Sequence, residues 1–140
     1  MEATDNLLDD TRTVTLILKS DSVRSHLTQP VVLVIRCLSK KIELFVEWNE
    51  HFGDSANVRM RVGAEEAETR MWPLSNDHQA TFYPGNTVEL VTALFKVNQL
   101  VLQVSPLNEN PVTAVFDPTG LQEAIRPLQE TCGWQSWRDR

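Results

Sequence analysis

The sequence is short of the residue patterns that mark most catalytic and ligand-binding chemistries. Five glycines are scattered through 140 residues, and none falls in a GxGxxG or GxxxxGK spacing. The backbone-lined phosphate cradle of nucleotide-binding loops is therefore missing. The two cysteines come without a CxxC or HxxxH spacing, which makes a poor metal-ligand set. No apolar run nears the roughly 18 to 20 residues that span a bilayer, so membrane insertion is not expected. Thirteen basic residues face nineteen acidic ones, a formal charge of −6, and no Lys/Arg cluster rises above that background. Nucleic acid and anionic membrane surfaces, which attract basic patches, are therefore not expected as partners. Neither a metal nor another cofactor is expected. With no internal repeat and no low-complexity linker, the length suits one domain able to bury its own core.

The amino terminus, "MEATDNLLDD", is polar and acidic, with neither a basic n-region nor an apolar h-region. Read literally it belongs to a cytosolic protein; a leader already removed fits equally well. Residues 1–12 are taken as a polar lead-in.

Hydrophobic patterning then predicts mainly antiparallel sheet. "TVTLIL" (13–18) alternates, with Val14, Leu16 and Leu18 on one face. "VVLVIRC" (31–37) is continuously apolar, as a well-buried strand is, and "LSKK" joins it to the alternating "IELFVEW" (42–48) in an antiparallel hairpin. "NVRMRVG" (57–63) points Val58, Met60 and Val62 inward and Asn57, Arg59 and Arg61 outward, a strand with one wet face. "TRMWPLS" and "ATFYP" read as short strands around the polar turn "NDHQ". "TVELVTALFKV" (87–97) has helical spacing, although its β-branched residues also suit a strand. "LVLQVSP" and "VTAVFDP" form a second hairpin around "LNENP". In "TGLQEAIRPLQETCGW", Thr119 with Gln122 resembles a capping box, and Leu121, Ile125 and Leu128 share one helical face. Pro127 predicts a kink or two short turns there. The expected class is α+β: a mainly antiparallel, sandwich-like domain with about two helices in its second half.

Cys37 shares strand parity with Leu33 and Ile35, and Cys132 extends the stripe Leu121, Ile125, Leu128 by four residues. Both should face the core, and Gly133 follows as a natural C′ residue. They can meet if the last helix packs on the strand ending at Cys37, closing a loop of about 95 residues. Two buried free thiols acting as small hydrophobes fit the spacing equally well. A nucleophilic Cys132 is disfavoured, because a reactive thiolate needs an electropositive, partly exposed setting rather than an apolar stripe.

Other chemistry is thin. His26, His51 and His78 lie in three separate polar connections, where a lone histidine is ordinarily solvated. Ser75, Asp77 and His78 invite a triad reading, but triads are assembled from distant segments rather than one turn. Asp9-Asp10 and Glu65-Glu66 read as solvated charge. Trp48 and Trp72 suit core or rim; Trp134 should pack near Cys132, and Trp137 in "QSWRDR" should be exposed. No catalytic constellation emerges, and the chain reads as a binding or structural module rather than an enzyme.

The order of "VVLVIRC", "KIELFVEW", "ETRMWPLSNDHQATFYPG" and "LVLQVSPLNENPVTAVFDPTGLQEAIRPLQETCGW" resembles the VasI/TagO-like family of type VI secretion-associated proteins. Its most specific pieces are "IRC" (35–37), "WPLS" (72–75), "ATF" (80–82), "PVTAVFD" (111–117) and "CGW" (132–134). The resemblance spans residues 13–134 as one domain and leaves residues 135–140 as a short tail without a shared role. It implies a protein of the Gram-negative envelope, periplasmic after removal of a leader. In that compartment a cysteine pair is oxidised, so the resemblance implies a Cys37–Cys132 disulfide tying the last helix to the sheet. It brings no catalytic residues. The first expectation is therefore a type VI secretion accessory that binds another envelope or secreted protein; loops "NEHFGDS" and "NDHQ" on a rigid antiparallel scaffold make Trp48, His51, Phe52, Asp54, Trp72, Asp77, His78 and Tyr83 the candidate contact residues. The competing expectations are a periplasmic inhibitor or immunity protein acting on a hydrolase or toxin, and a glycan-binding module stacking sugars on Trp48, Trp72 or Tyr83.

Overall fold

A computed structural model describes residues 2–5, 13–20, 22–24, 30–38, 41–106 and 110–133; for residues 2–5, 13 and 22–24 it describes the backbone alone. Among the described residues ten strands form two antiparallel sheets. The first sheet holds β1 (Glu2–Asp5), β2 (Thr13–Lys19), β4 (Val32–Leu38), β5 (Lys41–Glu47) and β8 (Ala80–Phe82), in the order β1-β2-β4-β5-β8. The second holds β3 (Ser22–Arg24), β6 (Ala56–Val62), β7 (Glu68–Trp72), β9 (Leu100–Val104) and β10 (Val112–Phe116), in the order β3-β10-β9-β6-β7. The described residues also form three helices late in the chain: α1 (Thr87–Leu94), α2 (Leu121–Ala124) and α3 (Arg126–Cys132). One apolar cluster joins the inner faces of both sheets, from Val14, Leu33, Ile35 and Leu44 to Val58, Leu102, Ala114 and Phe116.

The central position of β4 explains its unbroken apolar run. Leu33, Ile35 and Cys37 face the common core, while Val34 faces outward and packs with Phe45 and Ala80 in a second small cluster. Beside that cluster Arg36 lies 4.9 Å above the Phe45 ring and pairs with Glu43 at 2.8 Å. By contrast β6 has one wet face, so Val58 and Val62 are buried and Arg59 and Arg61 exposed. The hairpins β4–β5 and β9–β10 are present as expected.

Two features depart from the expectations above. Residues 2–5, inside the polar lead-in, pair along β2, and residues 22–24, where no strand is expected, form β3 in the opposite sheet. The short strands expected around "NDHQ" are both present, in different sheets: β7 joins β6, β8 joins β5, and one bridge, Leu74 to Thr81, spans the turn. The chain crosses between sheets at Pro73, whose ring cannot donate to a continuing ladder. The capping box at Thr119 and Gln122 does not form. Asp117 accepts from the Thr119 backbone N–H at 2.9 Å, and Gly120, at φ 89°, takes the N-cap position of α2 without a side-chain bond.

The helical reading of residues 87–97 holds for Thr87–Leu94, with Asn86 capping through the Glu89 N–H at 3.1 Å. Pro127 sits in the first turn of α3, where its missing N–H costs little, so one expected helix becomes two. Gly133, at φ 68°, ends α3 in the left-handed conformation. Helix α3 packs on β2 and β4, and Cys132 forms a disulfide with Cys37 across a sequence separation of 95, with Cα atoms 5.9 Å apart. Trp134, Trp137 and the tail "QSWRDR", with His26 and Asp9-Asp10, lie outside the described residues.

Candidate functional site

Opposite the disulfide, the β4–β5–β8 end of the first sheet carries the loops at 49–55 and 75–80. Antiparallel pairing of Glu47 with Ala80 forces these two loops side by side. Trp48 follows β5 with its side chain fully buried, and its indole N–H donates to the Thr81 hydroxyl at 3.0 Å. Thr81 is itself buried, so each polar group satisfies the other inside the core. Phe52 returns from the loop into the core, also fully buried, with its ring edge-on to Trp48 at 6.4 Å. The loop is thereby pinned at both shoulders.

The 75–80 turn is wired internally. The Ser75 hydroxyl donates to Asp77 Oδ1 at 2.6 Å and accepts from the Ala80 N–H at 3.0 Å. Asp77 Oδ1 also accepts from the Gln79 N–H at 3.1 Å. The Ser75 hydroxyl and then the Gln79 N–H stabilise the carboxylate and hold the Asp77 carboxyl below its ordinary range.

Three hydrogen bonds fasten the loops together. The Trp48 N–H donates to the Gln79 carbonyl at 3.1 Å, and the Phe52 N–H donates to the His78 carbonyl at 2.9 Å. His78 Nδ1 meets the Gly53 carbonyl at 2.8 Å; a carbonyl only accepts, so Nδ1 carries the proton. The His78 ring then stacks on His51, with centroids 5.7 Å apart and planes 13° from parallel. Among the described residues, the non-glycine positions with positive φ are Asn49 (59°) and His78 (60°), both at this end. Such conformations persist only where the surroundings over-determine them, and they gather at functional surfaces.

The candidate contact residues fall into two groups. His51, Asp54 and Asp77 are exposed and His78 is half-buried, all on one end of the sandwich. Trp48, Phe52 and Trp72 are buried and support that end from below. Tyr83 is half-buried, edge-on to Trp72 at 5.4 Å, with the Arg70 guanidinium 6.0 Å from its ring centroid. Burial removes Trp48 and Trp72 as sugar-stacking platforms. Ser75, Asp77 and His78 do not form a relay, because the Ser75 hydroxyl is bonded to Asp77 while the His78 ring turns to Gly53. Among the described residues no three His, Cys, Asp or Glu side chains cluster as metal ligands.

The pairing of His51 with His78 escaped the sequence reading, which treated each as a lone loop residue. The signal that could have found it is the β5–β8 register, since a strand "ATF" paired to "IELFVEW" brings the two polar turns together.

The family described as "Type VI secretion system VasI, EvfG, VC_A0118" matches residues 3–134. The chain belongs to this family. The VasI match reaches into the amino-terminal stretch that supplies β1, and it ends beside Cys132 and Gly133. Membership makes this a type VI secretion-associated protein. No curated protein and no solved structure matches the chain significantly.

Proposed function

We propose that this VasI-family protein acts in the periplasm as an accessory of type VI secretion, binding another envelope or secreted protein through its 49–55 and 75–80 loops rather than catalysing a reaction. The observation that carries the reading is the joining of two sequence-distant polar loops, both with left-handed non-glycine residues, on a domain matched almost throughout by a secretion-associated family. A rigid scaffold presenting adjoining loops is a common way to build a recognition surface. The periplasmic setting is supported by the disulfide, which belongs to oxidising compartments, and by the family. No helix among the described residues is long and apolar enough to cross a membrane.

One observation favours a second reading. Exposed Asp54 and Asp77 share the loop end of a chain with net charge −6, which suits a basic partner such as a hydrolase or toxin held by an inhibitor. Affinity capture from crosslinked envelopes of cells expressing the protein, compared with secretion in a deletion strain, separates the two. The accessory reading expects secretion-machine components in the capture and lowered secretion with intact effectors. Capture of a single basic enzyme, with secretion unaffected, would overturn it in favour of the inhibitor.

A further inference from the structure

The outward positions of four strands of the second sheet are Asn57, Arg59 and Arg61 on β6, Thr69 and Met71 on β7, Val101 and Gln103 on β9, and Thr113 and Val115 on β10. No carboxylate stands among them, although the chain has nineteen acidic residues. The register runs Thr69, Arg59, Gln103 and Thr113 in one row and sets Arg61 beside Val101 in the next. Successive outward residues on one strand lie about 6.6 Å apart, so the two arginines stand as a pair.

Arg59 and Arg61 are exposed, and neither has an ion pair among the described residues. Arg61 donates to the Glu65 carbonyl at 2.9 Å and the Ala64 carbonyl at 3.4 Å, neutral acceptors that aim the guanidinium without cancelling it. The outward arginine of the first sheet is treated differently: Arg36 is paired with Glu43 and stacked on Phe45. Between Arg59 and Arg61 lies a depression of about 280 Å³, with Val101 and Ala67 in its lining and Gln103 bonded to Thr113 at its side. Met71, 64% exposed, stands on the neighbouring edge strand. Arginine and methionine enriched while carboxylates are depleted is the composition of protein interfaces.

We infer that this sheet face is a docking surface for an acidic protein segment, whose carboxylates pair with Arg59 and Arg61 above the Val101 floor. Charge complementarity selects that occupant. A carboxylate matches the planar guanidinium fork in two-point contact. A polyanion such as nucleic acid or an anionic bilayer needs a long basic stripe, and two arginines on a chain of net charge −6 do not supply one. The face is distinct from the 49–55 and 75–80 loops, which lie at one end of the sandwich.

The test is binding of the oxidised protein to a fluorescein-labelled glutamate peptide, followed by anisotropy at rising ionic strength. A lysine peptide and phosphatidylglycerol vesicles are compared alongside. Measurable glutamate-peptide binding that weakens with salt is expected, with a loss of about tenfold in the Arg59→Glu/Arg61→Glu variant. Arg59→Gln/Arg61→Gln gives a smaller loss in the same direction and stands in if the charge reversal fails to fold. Arg126→Glu, an equal change in charge per site at an exposed side chain of α3, should leave affinity unchanged. Three results overturn the inference: no binding of the glutamate peptide, an equal loss in Arg126→Glu, or tighter arginine-dependent binding to the vesicles.

Discussion

At the Cys37 end of the first sheet the chain is closed by a covalent bond and the apolar faces of two short helices, whereas at the Trp48 end it is closed by hydrogen bonds between two loops. The first end takes Leu121, Ile125 and Leu128 into the core and fixes the carboxyl-terminal helix to β4 through Cys132. The second end buries Trp48 and Phe52 but spends its polar groups on shaping a surface: Ser75, Asp77 and His78 hold the turn, and Asn49 and His78 accept strained backbone. We propose that stability rests mainly on the first end and recognition on the second.

The largest expected effect comes from opening the covalent end. A disulfide closing a loop of 95 residues contributes about 4 to 5 kcal/mol by the chain-entropy argument. Denaturant unfolding of the oxidised protein against Cys37→Ala/Cys132→Ala should show a loss of that size, with the loops' mutual hydrogen bonds unaffected in the folded state. A loss below about 1 kcal/mol would erase the contrast between the ends.

Phe52→Ala should follow, at about 3 kcal/mol or more, because a fully buried ring leaves a cavity beneath the loop. Its distinctive signature is local: amide exchange should accelerate at residues 49–55 and 75–80 before it does near Cys37. Uniform acceleration would mean that the loop end is not a separate unit. Trp48→Phe should cost less, about 1 to 3 kcal/mol, since the buried Thr81 hydroxyl loses its donor. Adding Thr81→Val to Trp48→Phe should recover part of that loss, because no buried polar group is then stranded.

The smallest effect is the pH response of the 75–80 turn. The Asp77 carboxyl is held below its ordinary value in the folded state, so its stabilising effect is present above the ordinary carboxylate pKa. That effect is lost as pH falls through the lowered folded value, when protonation weakens the bonds from Ser75 and the Gln79 N–H. Exchange of the Gln79 amide should quicken there in the native protein and be insensitive to that titration in Asp77→Asn.

Strands with one environment on each face were legible in the sequence. β6 alternates because its outer face is wet, and β4 reads continuously because Val34 is covered outside as Ile35 is inside. The last helix and its cysteine were legible through the 121, 125, 128, 132 stripe. The less legible parts depend on partners far along the chain. Ser22–Arg24 and Glu2–Asp5 carry weak strand signals and are held by the ladders of β10 and β2. The local hydrogen bond from Thr119 to Asp117 displaced the capping box, since the aspartate closes its own turn first. At the candidate site the loops were visible by composition, but the stacking of His51 on His78 and the inward return of Phe52 follow from tertiary register alone.

The most direct test of the account is secretion in a deletion strain complemented with His51→Ala/Asp54→Ala. Both side chains are exposed at the loop tip, so the variant should accumulate as a folded, oxidised protein. The account predicts that it fails to restore secretion, while the native chain restores it. Full restoration by the variant would contradict the assignment of the loop end as the surface on which this protein acts.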